Sequence, residues 1–164
     1  MIKKLKNSYS DIPYYIYPIL GSMIIIIDRL TKTLALLYNF NYIGRFQRLF
    51  HLPPIKNTGM SLQLFGMNNK EFFLTLKITG VIIIIYFIYR LKNKYYENKY
   101  ILGEVLVVSG GIGNLIDRLY YDAVIDFIFI RMPLLNFFAI ANVADIFISI
   151  GCVILALELF FDDN

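Results

Sequence analysis

The chain has 164 residues, 58% of them hydrophobic, a mean hydropathy of +0.60 and a formal net charge of +4. Long apolar runs stand where a soluble domain of this length would alternate, which excludes an ordinary water-soluble fold and marks a single membrane-embedded domain over residues 1–164. The basic residues cluster beside the apolar runs, as orientation signals do, so the positive charge does not imply a nucleic-acid partner.

Crossing roughly 30 Å of hydrocarbon takes about 20 helical residues, and four segments qualify, at about 12–37, 72–91, 101–119 and 137–161. The first follows Lys3, Lys4 and Lys6, but no small-x-small cleavage pattern succeeds its apolar core, so a retained helix is expected. Its Asp28 and Lys32 stand four residues apart, the spacing of a local ion pair that lowers the cost of burying either charge. The segment from about 39 to 71 is too long for a turn. In it Phe46–Phe50 and Ser61–Phe65 alternate as half-buried strands do, with Pro53-Pro54 and Asn57-Thr58-Gly59 as turn signals, and His51 reads as structural. A small sheet on the outer membrane surface is therefore expected.

Arg90 to Lys99 forms a short basic link between the second and third spans. With the N-terminal lysines it makes seven basic residues in two short segments. These should stay on the cytoplasmic side, which puts both termini there and the 39–71 segment outside. Tyr14, Tyr15, Tyr95 and Tyr96 fit interfacial belts. On the third span Asn114, Asp117 and Arg118 share one face, preceded by the small residues Ser109, Gly110, Gly111 and Gly113 that let another helix approach closely. Asp117 and Arg118 either neutralise each other in a packing seam or join a site. A second outward segment, Tyr120 to Asn136, contains Asp126, and the fourth span carries Asn142, Asp145 and Ser149 as a polar stripe that must face protein or water. Cys152, the single thiol, has no disulfide partner and behaves as a small hydrophobe.

A carboxylate at membrane depth costs roughly 2.5–3.5 kcal/mol even on the lenient insertion scale. Asp126 and Asp145 are thus working residues by default, and paired carboxylates suit acid/base chemistry on a membrane-bound substrate. There is no Cys/His cluster for a metal, no Gly-rich phosphate loop ending in Gly-Lys-Ser/Thr and no G-x-S-x-G nucleophile motif. An Asp-based ion or proton transporter would show internal symmetry of polar helices, which the chain lacks. A lipid phosphotransferase would want several Asp residues gathered around a metal.

The strings Gly111-Ile-Gly113-Asn114-Leu-Ile-Asp117-Arg118, Val124-Ile125-Asp126-Phe127 and Asn142-Val-Ala144-Asp145, in that order, resemble the signature of bacterial lipoprotein signal peptidase, or signal peptidase II. Asp28-Arg29-Leu-Thr31-Lys32 resembles the family's D-Q-x-[ST]-K motif, and Asn57-Thr-Gly59 its N-x-G motif. The resemblance covers nearly the whole chain. It implies an all-α polytopic membrane protein with four transmembrane helices and a small extracytoplasmic β-sheet, the β-cradle. It also implies an aspartyl endopeptidase of the bacterial cytoplasmic membrane, with its site at the outer face, that acts without cofactor or metal. Its substrates would be prolipoproteins cut just before a diacylglyceryl-modified cysteine, its other partners membrane lipids, and its state a monomer. Carried over position by position, Asp126 and Asp145 are the catalytic pair. Asn114, Arg118 and Asn142 line the site, and Asp28, Lys32, Asn57 and Gly59 support it or contact substrate. The chain departs from the pattern at Arg29, where Gln is usual, at Met60-Ser61-Leu62, and at Ala139 and Ala141, where Pro and Phe are common.

Overall fold

A computed structural model describes residues 13–38, 54–58, 69–96, 101–132 and 137–162. In chain order these form α1 (Ile16–Tyr38), β1 (Ile55–Asn57), α2 (Asn69–Tyr96), α3 (Leu102–Tyr121), β2 (Val124–Asp126), β3 (Ile128–Met132), β4 (Phe137–Ala141) and α4 (Val143–Asp162). The expected strands Phe46–Phe50 and Ser61–Phe65, and with them His51 and Gly59, lie outside the described residues.

α3 is the central helix and touches α1, α2 and α4. Its small residues explain why. A Cβ added to Gly110 would come within 2.6 Å of the Ala144 carbonyl oxygen and 2.8 Å of Ile148, so α3 and α4 meet backbone to backbone. Overpacking of this kind costs about 1–3 kcal/mol. Gly110→Ala should therefore lower the thermal unfolding midpoint of the purified protein and slow its reaction together, since both helices carry site residues.

The bundle is inverted relative to a water-soluble one. Along α1 the buried positions are Tyr17, Gly21, Ile24, Asp28, Lys32 and Ala35, at helical spacing, and this inward stripe carries the charges. The outward stripe is Ile16, Ile19, Met23, Ile26, Ile27, Leu30, Leu34 and Leu37, all exposed. α2 and α4 show the same apolar exterior, with Leu74, Ile78, Ile82, Ile85, Tyr89, Ile150, Val153, Leu157 and Phe160 facing out. An apolar coat this continuous needs a hydrocarbon solvent. Residues Leu74–Tyr95 and Val143–Phe161 are long and apolar enough to cross a membrane by composition alone. α1 and α3 each hold three charged residues, of which Asp28, Lys32, Glu104 and Asp117 are fully buried.

Two boundaries differ from the sequence reading. The expected fourth span from Phe137 begins at Val143 instead, because Phe137–Ala141 is a strand. A short unbroken apolar run has no periodicity to separate strand from helix, and the start signal is Asn142 at the cap. The expected link after Leu91 is helical as far as Tyr96. That extension carries Lys94 to buried Glu104 at 2.9 Å and to Glu158, while Arg90 reaches Glu104 at 3.3 Å, so the far ends of α2, α3 and α4 are tied by charge. Tyr14 stacks edge-on against Tyr95 nearby, with centroids 4.8 Å apart.

The strands form two antiparallel pairs, β1 with β2 and β3 with β4. α3 stops at Asp122, whose φ of 52° is a left-handed cap that Asp tolerates, and its carboxylate meets Lys77 of α2 at 2.6 Å. The turn sends the chain into β2. The β3–β4 hairpin then returns it, with Ile128 opposite Ala141 and the Phe127 amide donating to the Ala141 carbonyl at 3.0 Å. Residues 126 and 142, sixteen apart in sequence, thereby become neighbours.

Candidate active site

Asn142 caps α4. Its side-chain oxygen accepts the Asp145 amide at 3.0 Å, and the Asp145 carboxylate accepts the Asn142 amide at 3.1 Å. This is a reciprocal capping box, with Asp in the place Glu or Gln usually takes. The helix start fixes the Asp145 carboxylate by its own backbone. The other Asp145 oxygen accepts from the Asn114 amide at 2.7 Å.

Asp126 ends β2 and is 2% exposed. Its two oxygens accept from the Asn142 and Asn57 side-chain amides, each at 2.7 Å. In the β1–β2 register Asn57 lies opposite Val124, so it reaches Asp126 along the diagonal of the same sheet face. Asn142 therefore touches both residues: its side-chain nitrogen donates to the Asp126 carboxylate, and its backbone nitrogen donates to the Asp145 carboxylate. Burial pushes the Asp126 carboxyl above the ordinary carboxylate range. The amides of Asn57 and Asn142 pull it down, and the neighbouring Asp145 charge adds to the rise.

Beneath Asn114 lies a buried cluster of charges. Lys32 Nζ is 2.9 Å from Asp28 Oδ2, 2.8 Å from Asp117 Oδ2 and 2.9 Å from Asn114 Oδ1. Arg29 Nη2 is 2.6 Å from Asp117 Oδ1 and 3.2 Å from Asp28 Oδ2. The Arg29–Asp117 contact lacks hydrogen-bond angles despite its closeness and is an ion pair by charge alone. The acids also hold backbone: Asp28 accepts the Ala144 amide at 3.0 Å and Asp117 accepts the Ile125 amide at 3.2 Å. The cluster thus ties α1 to the starts of α4 and β2, the two elements that present Asp145 and Asp126.

Seven of the nine site residues expected from sequence form one connected network, Asp28, Lys32, Asn114, Asp145, Asn142, Asp126 and Asn57. Arg118 departs from it. It does not pair with Asp117, because consecutive helical residues point roughly 100° apart. It is half-buried, and its Nη1 would lie 3.5 Å from a Cβ placed on Gly80 of α2. Ser149 also leaves the expected stripe. It is exposed and donates to the Asp145 carbonyl at 2.7 Å, which satisfies its hydroxyl without any polar neighbour. The residue missed by sequence reading is Arg29. Its signal was available, since a third charge beside Asp28 and Lys32 in an apolar span needs a buried partner.

The fold is that of a bacterial membrane enzyme. One such enzyme, solved by the in meso method at 1.9 Å resolution, superposes with a TM-score of 0.63 at 23% identity, covering 91% of this chain and 95% of that one. A second, at 2.3 Å resolution, gives 0.61 at 21% identity. Residues 20–161 match the family described as signal peptidase (SPase) II, and the chain belongs to that family. Among its relatives, the lipoprotein signal peptidase of Clostridium tetani is 34% identical over 142 residues, covering 85% of this chain and 89% of the relative. That of Thermodesulfovibrio yellowstonii is 36% identical over 135 residues, covering 80% and 86%. The chain is accordingly a membrane protease of bacterial lipoprotein processing.

Proposed function

We propose that Asp126 and Asp145 are the reacting pair of an aspartyl endopeptidase that cuts prolipoproteins just before the diacylglyceryl-modified cysteine. The observation that carries this reading is that Asn142 donates to both carboxylates, to Asp126 from its side-chain amide and to Asp145 from its backbone amide. The Asp145 charge helps to raise the Asp126 carboxyl, as expected of two acids that hold one proton between them. In this reading Asp126, whose carboxyl burial raises, carries that proton and Asp145 acts as the base.

In the forward direction Asp145 takes a proton from water as the water oxygen bonds to the scissile carbonyl carbon, and Asp126 gives its proton to the carbonyl oxygen. The resulting gem-diol collapses when the C–N bond breaks. Asp145 passes its proton to the leaving cysteine nitrogen, and Asp126 recovers a proton from the diol. The products are a signal peptide with a new carboxyl end and a lipidated protein with a free amino end. The three amides of Asn57, Asn114 and Asn142 fix both carboxylates before substrate arrives. Arg118, half-buried on the same turn of α3, is a donor toward substrate carbonyl or phosphate oxygen.

The setting follows from the same residues. All four helices span the bilayer as one domain. The chain is a monomer whose apolar coat meets lipid, and the basic N-terminal and 90–99 segments hold both termini in the cytoplasm. The site then lies at the outer face of the cytoplasmic membrane, under a small cradle that includes β1 and β2, where a cysteine anchored by lipid can reach it.

A purified, detergent-solubilised sample should release signal peptide from a diacylglyceryl-modified precursor, with chelator present, and leave the unlipidated precursor uncut. Its kcat/KM should fall on the alkaline side as Asp126 loses its proton. Because the Asn57 amide favours the charged form of Asp126, Asn57→Ala should move that alkaline limb to higher pH. Cleavage indifferent to lipidation, or a limb moved the other way, would contradict the assignment.

A further inference from the structure

Two anionic side chains, Asp28 and Asp117, and two cationic ones, Arg29 and Lys32, make the buried cluster even in charge. The Lys32 ammonium donates a hydrogen bond to Asn114 and lies at ion-pair distance from Asp28 and Asp117. Of these Asn114 is the neutral one and so the weakest competitor for a cation. Its bond to Lys32 nevertheless sets which way its amide points. With the oxygen on Lys32, the NH2 group must face Asp145, and it does so at 2.7 Å.

We propose that Arg29 is a positioning residue for Asp145: by holding Asp117 and sharing Asp28, it leaves a Lys32 N–H aimed at Asn114, which then presents its donor to the Asp145 carboxylate. Without Arg29, two full negative charges draw on a single ammonium. Lys32 moves toward them, and the Asn114 amide loses the contact that orients it. The inference rests on Asp145 being one of the reacting pair. Arg29 is the most exposed member of the cluster, at 27% of its side chain against at most 2% for its partners Asp28, Lys32 and Asp117, so it can be replaced with least damage to packing.

The test uses the full chain and a diacylglyceryl-modified precursor peptide. Arg29→Met should lower kcat on the order of tenfold, the scale of a modest misplacement of a reacting group, with KM held within about twofold. Adding Asp117→Asn removes the competing charge and should return kcat to within about threefold of wild type. A folded Arg29→Met protein with wild-type kcat, or a folded double variant as slow as the single one, overturns the proposal. If Arg29→Met alone does not fold, the double variant decides: recovered kcat supports the idea and a tenfold loss ends it. Asp145→Asn is run alongside. If that variant cleaves normally, the reacting pair is misassigned; if it is inert while Arg29→Met matches wild type, only the role of Arg29 is wrong.

Discussion

Asp126→Asn and Asp145→Asn should each abolish cleavage of a lipidated precursor while the purified protein keeps its helical content and unfolding midpoint. The expected loss is at least on the order of 10²–10⁴-fold, the contribution of one positioned acid or base. The structural cost is small because Asn preserves shape and one acceptor oxygen. At 145 that oxygen can still accept the Asn142 amide and keep the helix cap. At 126 it can still accept from one of the two amides that now hold Asp126. What disappears is the ability to take up or give back a proton. Full activity in either variant, measured by release of signal peptide, would refute the pair. Asp117→Asn is a useful contrast: Asp117 touches Lys32, Arg29 and the Ile125 amide but neither acid of the pair, so only partial loss follows.

Lys32→Met should be the most damaging change away from the two acids, and it should act on stability as well as rate. Methionine keeps much of the apolar stem but removes the ammonium that serves Asp28, Asp117 and Asn114. Arg29 alone then faces two buried carboxylates. Breaking a buried charge pair by removing one partner costs about 3–5 kcal/mol, because the remaining charge has no water to return to. Thermal unfolding in detergent should show a large drop, and activity should fall with it as Asn114 loses its anchor. Lys32→Arg is no remedy, since a planar fork cannot replace a compact ammonium sitting 2.8–2.9 Å from three acceptors. A Lys32→Met protein as stable as wild type would mean that the cluster is not held by this charge.

Much of the candidate site was legible because charged and polar groups in lipid are expensive, and because the ordered motifs resemble those of the family. Asp28, Lys32, Asn114, Asp126, Asn142 and Asp145 stand out from apolar surroundings, and the structure joins all six by hydrogen bonds or ion pairs. Partner choice was less visible. Asp117 next to Arg118 looks like a pair in the string, yet helical geometry turns the two apart, and the partners are 85 and 88 positions away at Lys32 and Arg29. The fourth span was misread at its start for a related reason. Phe137 to Ala141 is as apolar as the helix after it, so hydropathy runs the two together, whereas the Asn-x-x-Asp cap at 142–145 separates them. Pairing of β1 with β2 was out of reach of a local pattern, because three-residue strands carry no period and their register depends on a contact 69 residues apart between Asn57 and Asp126.

The reciprocal cap on α4 gives Asp145 an unusual address. Helix ends are ordinarily where a bundle frays first. Here the first turn carries a carboxylate whose aim matters to a fraction of an ångström, so a single turn of unwinding would disarm the protein with the rest of the bundle intact. The returning hairpin, the Asn114 amide and the Asp28 bond to Ala144 are three separate tethers on that one turn. Warmed gradually, such a molecule should lose activity and fold together, because neighbouring elements of the bundle hold that turn.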